Sequence, residues 1–311
     1  MCLNISILIN NHMNYFDMHI HSEVGNIDPA DFIQKMNSVG IRGGAVMSPD
    51  PESPLGYGVS YETRMDCLKK WTEGHQDTLV PVLYIHPLEK DAVQKAQDAV
   101  SRGVQAFKIT CDCFYVGDEP SMELLTEIAK MNKPVIFHSG ILWNDYDSSK
   151  YNRPLNWECL IKIPGLRFSL AHCAWPWCDE TIALYGKFLY TYAANPTDSA
   201  EMFLDLTPGT PVIYRKDLIN KIYNSAYDTP RNVLFGTDCT ANHYNFEWAK
   251  SWLDRDQKIM NEIGVSESLQ QYYFEDNFKR FLGLTKKNFQ HISPTPDKAD
   301  GFSLDLANRT Y

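Results

Sequence analysis

Tyr15-Phe16-Asp17-Met18-His19-Ile20-His21 is the stretch from which the fold of this chain can be read. It is a short apolar run near the N-terminus and reads as a β-strand. Side chains on a strand alternate between faces, so residues two apart point the same way. His19 and His21 then converge on one point, as two ligands of one metal ion must. Outward from this run, short β-rich segments alternate with longer amphipathic ones, the pattern of βα units around a parallel sheet.

Further strands are expected at Gly43–Ser48, Thr78–His86, Val104–Thr110, Pro134–His138, Leu166–His172, Met202–Leu206 and Asn232–Asp238. Helices are expected at Asp31–Val39, Tyr61–Trp71, Glu89–Ser101, Ser121–Met131, Leu155–Ile163, Asp179–Leu189, Lys216–Ala226, Phe246–Ile263 and Ser266–Phe281. Eight strands with interleaved helices predict an α/β fold, the (β/α)8 TIM barrel. An open doubly wound sheet would need a glycine-rich phosphate turn after the first strand, and that turn is missing. The barrel is expected over residues 14–285, after an N-terminal extension (1–13) and before a polar tail (286–311) containing Pro294 and Pro296. The barrel pattern starts directly after Met13, which makes Met13 an alternative start to Met1.

Composition narrows the partners. The 311 residues, 44% hydrophobic, suffice for one barrel-sized core. With 29 basic against 39 acidic residues the net charge is −10. That balance argues against a nucleic-acid or anionic-membrane partner and otherwise speaks to solubility; the partner expected is a small-molecule substrate. Eight cysteines without a CxxC pair, in a chain this long, read as free thiols in a reducing, cytoplasmic setting. No stretch approaches membrane-spanning length, and the apolar run at residues 3–9 has no basic flank. A homodimer is expected from general prevalence alone.

The chemistry lies at the strand ends. Lys108 is on strand four, His138 and His172 end strands five and six, and Asp238 ends strand eight. In a parallel barrel these ends open onto the same face as His19 and His21, where active sites of this fold lie. Imidazole nitrogen and carboxylate oxygen suit a borderline ion such as Zn²⁺, and a catalytic site keeps one position open for water.

In these residues the chain resembles the amidohydrolase superfamily, in particular its amidohydrolase-2 type. That group holds metal-dependent hydrolases and decarboxylases of the amino-carboxymuconate-semialdehyde kind. The resemblance rests on Asp17-Met18-His19-Ile20-His21, Val135-Ile136-Phe137-His138-Ser139-Gly140, Ala171-His172-Cys173 and Leu234-Phe235-Gly236-Thr237-Asp238. It implies that His19, His21, His138 and Asp238 hold one divalent ion, Zn²⁺ by chemistry, with His172 at a second metal or in proton transfer. It further implies a hydrolase in which a metal-activated water cleaves a C–N or C–O bond of an amide, lactone or ester, Asp238 taking the proton of that water. A non-oxidative decarboxylase of an aromatic or unsaturated acid is the alternative on the same scaffold. Lys108 is either a carboxylated bridge between two metals, as in binuclear relatives, or a substrate-anchoring or structural ammonium beside one. A barrel that only binds a metabolite would be expected to lose ligands, and this chain retains all of them.

Loop residues complete the expectations. His86 ends strand three on the active face and His243 lies five residues past Asp238. Arg64 and Arg215 are candidates to clamp a substrate carboxylate. Trp143, Trp175 and Trp177 follow strands five and six, placed either to wall a ring-bearing substrate or to pack loop on loop. Cys111 and Cys113 read as free thiols; His12, His75 and His291 read as solvated. The loops at Pro49–Ser60 and Ile141–Arg153 are expected to cap the pocket.

Overall fold

In a computed structural model, residues 13–284 are described. The polar tail, most of the N-terminal extension, and with them Cys2, His12 and His291, lie outside these residues. The strands are β1 (Tyr15–His21), β2 (Ile41–Met47), β3 (Leu79–Tyr84), β4 (Ala106–Ile109), β5 (Val135–Phe137), β6 (Arg167–Leu170), β7 (Glu201–Asp205), β8 (Val233–Leu234) and β9 (Cys239–Thr240). All pair in parallel, in the order β8-β7-β6-β5-β4-β3-β2-β1-β9. The expected eighth strand, Asn232–Asp238, is thus shortened to β8, and β9 follows just beyond its expected end. Directly before β9, Asp238 takes a left-handed φ of 60°. The segment still closes the barrel on β1, through Met18 N–H to Phe235 O (2.9 Å) and Asp238 N–H to His19 O (3.0 Å).

The helices are α1 (Pro29–Ser38), α2 (Tyr61–Thr72), α3 (Ala92–Ser101), α4 (Glu119–Lys130), α5 (Ser148–Tyr151), α6 (Cys178–Ala194), α7 (Val212–Tyr223), α8 (Phe246–Glu262), α9 (Glu267–Gln271) and α10 (Asn277–Leu282). Local signals set several starts. Asp28 and Ser60 cap α1 and α2 through their side chains, and Asn245 caps α8. The expected helix at Leu155–Ile163 is instead wound in 3-10 turns over Pro154–Lys162. The expected closing helix carries a π-turn at Tyr272–Asp276, between α9 and α10. Beyond that turn Phe278 stacks on Phe16 and Phe281 meets Phe203 edge-on. These contacts plug the barrel at the end away from the strand C-termini. No helix among the described residues is long and apolar enough to cross a membrane.

Inward-facing residues follow the two-residue period. Ala106, Ile136, Phe203 and Leu234 share the interior cluster with Met18, Met47, Val80 and Val82. Two positions further along their strands stand Lys108, His138 and Asp205. On β1 the period slips. Asp17 pairs with Gly44 and Ile20 with Val46, so three steps on β1 run against two on β2. This bulge lets Met18 point inward at the core level and Ile20 point outward against the helix layer. His19 and His21 are thereby re-aimed into the mouth of the barrel.

Candidate active site

His19 is fully buried at the end of β1. Its Nδ1 lies 3.1 Å from Asp205 Oδ2, and the carboxylate fixes Nδ1 as the donor. Nε2 then offers its lone pair to the barrel mouth, 3.4 Å from Lys108 Nζ and 3.6 Å from Asp238 Oδ1. His172 is held in the same sense. Its Nδ1–H donates to Pro208 O at 2.9 Å and leaves Nε2 free. Ligand atoms of His19, His172 and Asp238 all lie within 4.8 Å of one another. His21 Nε2 stands 3.3 Å from Asp238 Oδ1, and the His138 ring lies 5.0 Å from that of His172.

Two glycines make this approach possible. A Cβ on Gly209 would sit 2.7 Å from His172 Cβ, and one on Gly236 2.8 Å from His19 Cβ and 2.2 Å from Thr207 Oγ1. His172 itself has φ 60°, in a left-handed turn that continues through Cys173 and Ala174.

Charges in the cluster are set by burial and by neighbours. Burial, helped by the Lys108 charge, lowers the His19 imidazole from 6.5 to about 3 against the pull of Asp205. Burial, then His172 and Lys108, likewise pushes His138 well below its ordinary value. Both rings are therefore neutral near pH 7, the state in which imidazole binds a metal. Burial alone would raise the Asp238 carboxyl, but the hydrogen bond from His21 and the surrounding imidazoles hold it below the usual carboxylate range. Burial would also raise Asp205; His19 and Thr207 hold it down. Burial lowers the Lys108 ammonium to about 8, opposed by Asp205 and Asp238.

Asp17 lies below the cluster and was not singled out as a site residue in the sequence. It accepts from the backbone N–H of His19 (3.1 Å) and of Thr237 (2.9 Å) and from the Thr237 hydroxyl (2.6 Å). Burial raises its carboxyl to about 7, against these donors. Asp205 was missed as well. Its signal was available: an acidic residue ending a strand, two positions after the inward Phe203.

These shifts predict the pH response of the metal-free protein. Below pH 6.5 unfolded imidazoles take up protons that folded His19 and His138 refuse, so their share of stability falls as the pH drops below 6.5, for His19 down to about 3. Asp17 acts oppositely between 3.8 and about 7, because the folded carboxyl keeps a proton that the unfolded one loses. Two imidazoles outweigh one carboxyl. The melting temperature is expected to be lower at pH 5 than at pH 7; equal or higher values would show that Asp17 dominates.

The mouth opens into a cavity of 240 Å³ lined by His21, His138, Ser139, Ile141, Leu142, Trp143, His172, Trp175, Pro208, Gly209 and Asp238. Trp143 and Trp175 thus reach it. Trp177 instead lies under the Arg153 guanidinium. Four expectations are corrected. Arg64 is fully buried, donating to Tyr84 O and paired with Glu89, so it has no face for substrate. Arg215 is buried against Asp256. His86 has both nitrogens engaged, Nε2 with Asp112 (3.0 Å) and Nδ1 with Leu88 N–H (3.1 Å). His243 is exposed, outside the cavity lining. Arg64→Ala should therefore cost about 3 kcal/mol of stability, because it leaves Tyr84 O without that donor and Glu89 with only Lys95 and the His86 N–H as partners, read as a lower unfolding midpoint. A raised KM with unchanged stability would restore the clamp.

The loops behave differently. Ser53 and Tyr57 of the 49–60 loop both donate to Asp112, and Tyr57 stacks on Tyr146 of the 141–153 loop at 5.9 Å. The two loops therefore meet at the barrel mouth. Cys111 and Cys113 are free thiols, as are the other described cysteines.

The amidohydrolase profile, of the amidohydrolase-2 type, matches residues 56–284. The chain belongs to the amidohydrolase family. The matched range includes Lys108, His138, His172, Asp205 and Asp238 and begins after β1. No curated protein matches the chain in sequence. Among solved structures it is similar in fold to a probable 2-pyrone-4,6-dicarboxylic acid hydrolase from Acinetobacter baumannii (TM-score 0.57, 11% identity, covering 87% of this chain and 100% of that one). It is also similar to amidohydrolase 2 from Bifidobacterium longum subsp. infantis (0.56, 13%, 88% and 100%). A third is dihydroorotase from Campylobacter jejuni (0.55, 15%, 88% and 84%). The family is one of enzymes and is generally metal-dependent, and the histidine–aspartate group here has the donor atoms to hold an ion.

The residues present fit such an ion. His138 Nε2 is buried without a hydrogen-bond partner, and an unpartnered buried nitrogen is costly unless something binds it. His19 and His172 each spend Nδ1–H on a carboxylate or carbonyl, the partnership that orients metal-binding imidazoles.

Proposed function

We propose that this chain is a metal-dependent hydrolase cleaving a C–N or C–O bond, an amide, lactone or ester, in a small molecule. The observation that carries the reading is the convergence of His19, His172 and Asp238 at the cavity floor, with the orphaned His138 Nε2 beside them. His19, His21, His138 and Asp238 would hold the ion, Zn²⁺ by donor type. When bound, a divalent ion supplies Lewis acidity towards water and towards a substrate carbonyl.

The chain's own residues do the rest. Asp238, ionised and partly exposed, accepts a proton from water at the carboxylate oxygen that His21 does not engage, and returns it to the leaving group. His172, steadied by Pro208 O and Gly209, presents Nε2 to the cavity to polarise the substrate carbonyl or share in that transfer. Lys108, buried beside His19 Nε2, is positioned to lend positive charge to the floor; one metal equivalent per chain would exclude the carboxylated bridge. Free thiols at every described cysteine support a reducing, cytoplasmic setting.

The test is to strip the protein with a chelator, restore it with Zn²⁺, and assay lactone, ester and amide hydrolysis beside CO₂ release from aromatic acids. Hydrolysis should vanish on stripping and return with metal. Turnover unaffected by the chelator would overturn the reading. CO₂ release without hydrolysis would replace it by the decarboxylase, which the aromatic wall of the cavity also suits.

A further inference from the structure

Three aromatic rings line up from the cavity outward. Trp143 stacks on Trp175 with centroids 6.4 Å apart and planes 19° from parallel. Trp175 stacks in turn on Tyr214, at 6.4 Å and 29°. Trp143 and Trp175 line the cavity directly above His21, His138, His172 and Asp238. Trp143 is 80% exposed. A tryptophan there for packing would be covered, whereas this one keeps a free face at the entrance. A large exposed ring at the rim of a pocket marks a binding surface.

The polar side of the lining is equally specific. Its polar side chains are the three histidines, Ser139 and Asp238; neither arginine nor lysine is among them. Arg64 and Arg215, the guanidiniums that the sequence offered for a carboxylate, are spent in buried ion pairs. Lys108 sits behind the floor against His19. A substrate with carboxylates away from the reacting group would find no arginine or lysine among the lining residues to meet them, an arrangement that costs more than it returns.

We infer that the substrate is a flat, uncharged ring system, an aryl or unsaturated lactone, ester or amide, that lies along Trp143 with its one reactive carbonyl directed at the histidine–aspartate floor. This deepens the hydrolase reading and rests on it for the direction of the carbonyl. The stacking itself is independent of any metal. Nearly parallel rings define the plane in which a guest ring would lie, and offset stacking on an exposed indole adds to simple area burial.

The experiment uses the full chain after chelation, titrated by calorimetry with coumarin, with its saturated analogue octahydrocoumarin, and with phthalate as a doubly charged flat ring. Coumarin should bind about fivefold more tightly than octahydrocoumarin, the scale of one stacking contact, and phthalate should bind more weakly than either. Trp143→Ala should erase the preference and Trp143→Phe should retain most of it, both with an unchanged melting temperature because the side chain is so exposed. Equal affinity for coumarin and octahydrocoumarin, tightest binding by phthalate, or a preference surviving in Trp143→Ala would each overturn the inference. Kinetics on the zinc-loaded protein separate the two proposals. Hydrolysis of aliphatic esters with no aryl preference sinks the ring assignment and leaves the hydrolase. Coumarin binding without any metal-dependent hydrolysis sinks the hydrolase and leaves the ring site.

Discussion

Asp238→Asn is expected to lower kcat by about a thousandfold, within the range for a lost general acid–base group, while the melting temperature stays within a few degrees of the parent. Asp238 has φ 60°, a left-handed conformation that asparagine adopts readily and most residues do not. The swap therefore preserves shape and backbone and removes only the negative charge. That charge faces His21 at 3.3 Å and His19 at 3.6 Å, and the amide left behind can take no proton from water. Steady-state kinetics with saturating Zn²⁺, beside a thermal melt, provide the check. A variant retaining a tenth or more of the parent kcat would remove Asp238 from the proton-transfer role. Asp238→Ala is a poorer probe, since it adds backbone strain to the loss of charge.

Asp205→Asn should weaken metal binding by about 10- to 100-fold, the usual consequence of disturbing the partner of a ligating imidazole. The argument runs through one proton. Asp205 Oδ1 accepts the backbone N–H of Thr207 at 2.8 Å and the Thr207 hydroxyl as well. An amide at 205 must therefore keep its oxygen on that side and turn its NH₂ towards His19 Nδ1. Nδ1 becomes the acceptor and the ring hydrogen moves to Nε2, the nitrogen that faces Asp238 and Lys108. Competition with a chromophoric chelator measures the loss. At saturating metal much of kcat should return, which distinguishes this positioning role from that of Asp238. An unchanged affinity would show that Nε2 of His19 is not a ligand.

Much of the barrel was legible because its signals are local. Strand runs such as Val135–Phe137 and Ala106–Ile109 sit between amphipathic segments, and each repeats the two-residue period that points alternate side chains inward. His138 and Lys108 follow from that period by counting two positions beyond Ile136 and Ala106. Asp205 obeys the same count beyond Phe203 and was overlooked for want of a histidine to flag it. The arginines failed for a different reason. Arg64 and Arg215 each find a buried carboxylate, Glu89 and Asp256, brought near only by folding. His86 likewise found Asp112, 26 residues away. The helical elements that departed from expectation, the 3-10 run at Pro154–Lys162 and the π-turn at Tyr272–Asp276, still bury apolar side chains such as Trp157, Leu160, Tyr273 and Phe274 and differ in winding. Periodicity is a poor guide to that.

By itself the sequence determined the alternation of strand and helix, the parallel barrel and the placing of histidines and aspartate at strand ends, since these depend on near neighbours in the chain. Whether His19 and His21 face the mouth was decided elsewhere. With Met18 inward, an unbroken strand would turn both imidazoles out against the helices. One additional residue on β1, between the pairings Asp17–Gly44 and Ile20–Val46, reverses them. Such a slip is a property of two strands in register, set by how β1 meets β2 on one side and the Phe235–Thr240 segment on the other. Only the closed barrel brings both partners to bear.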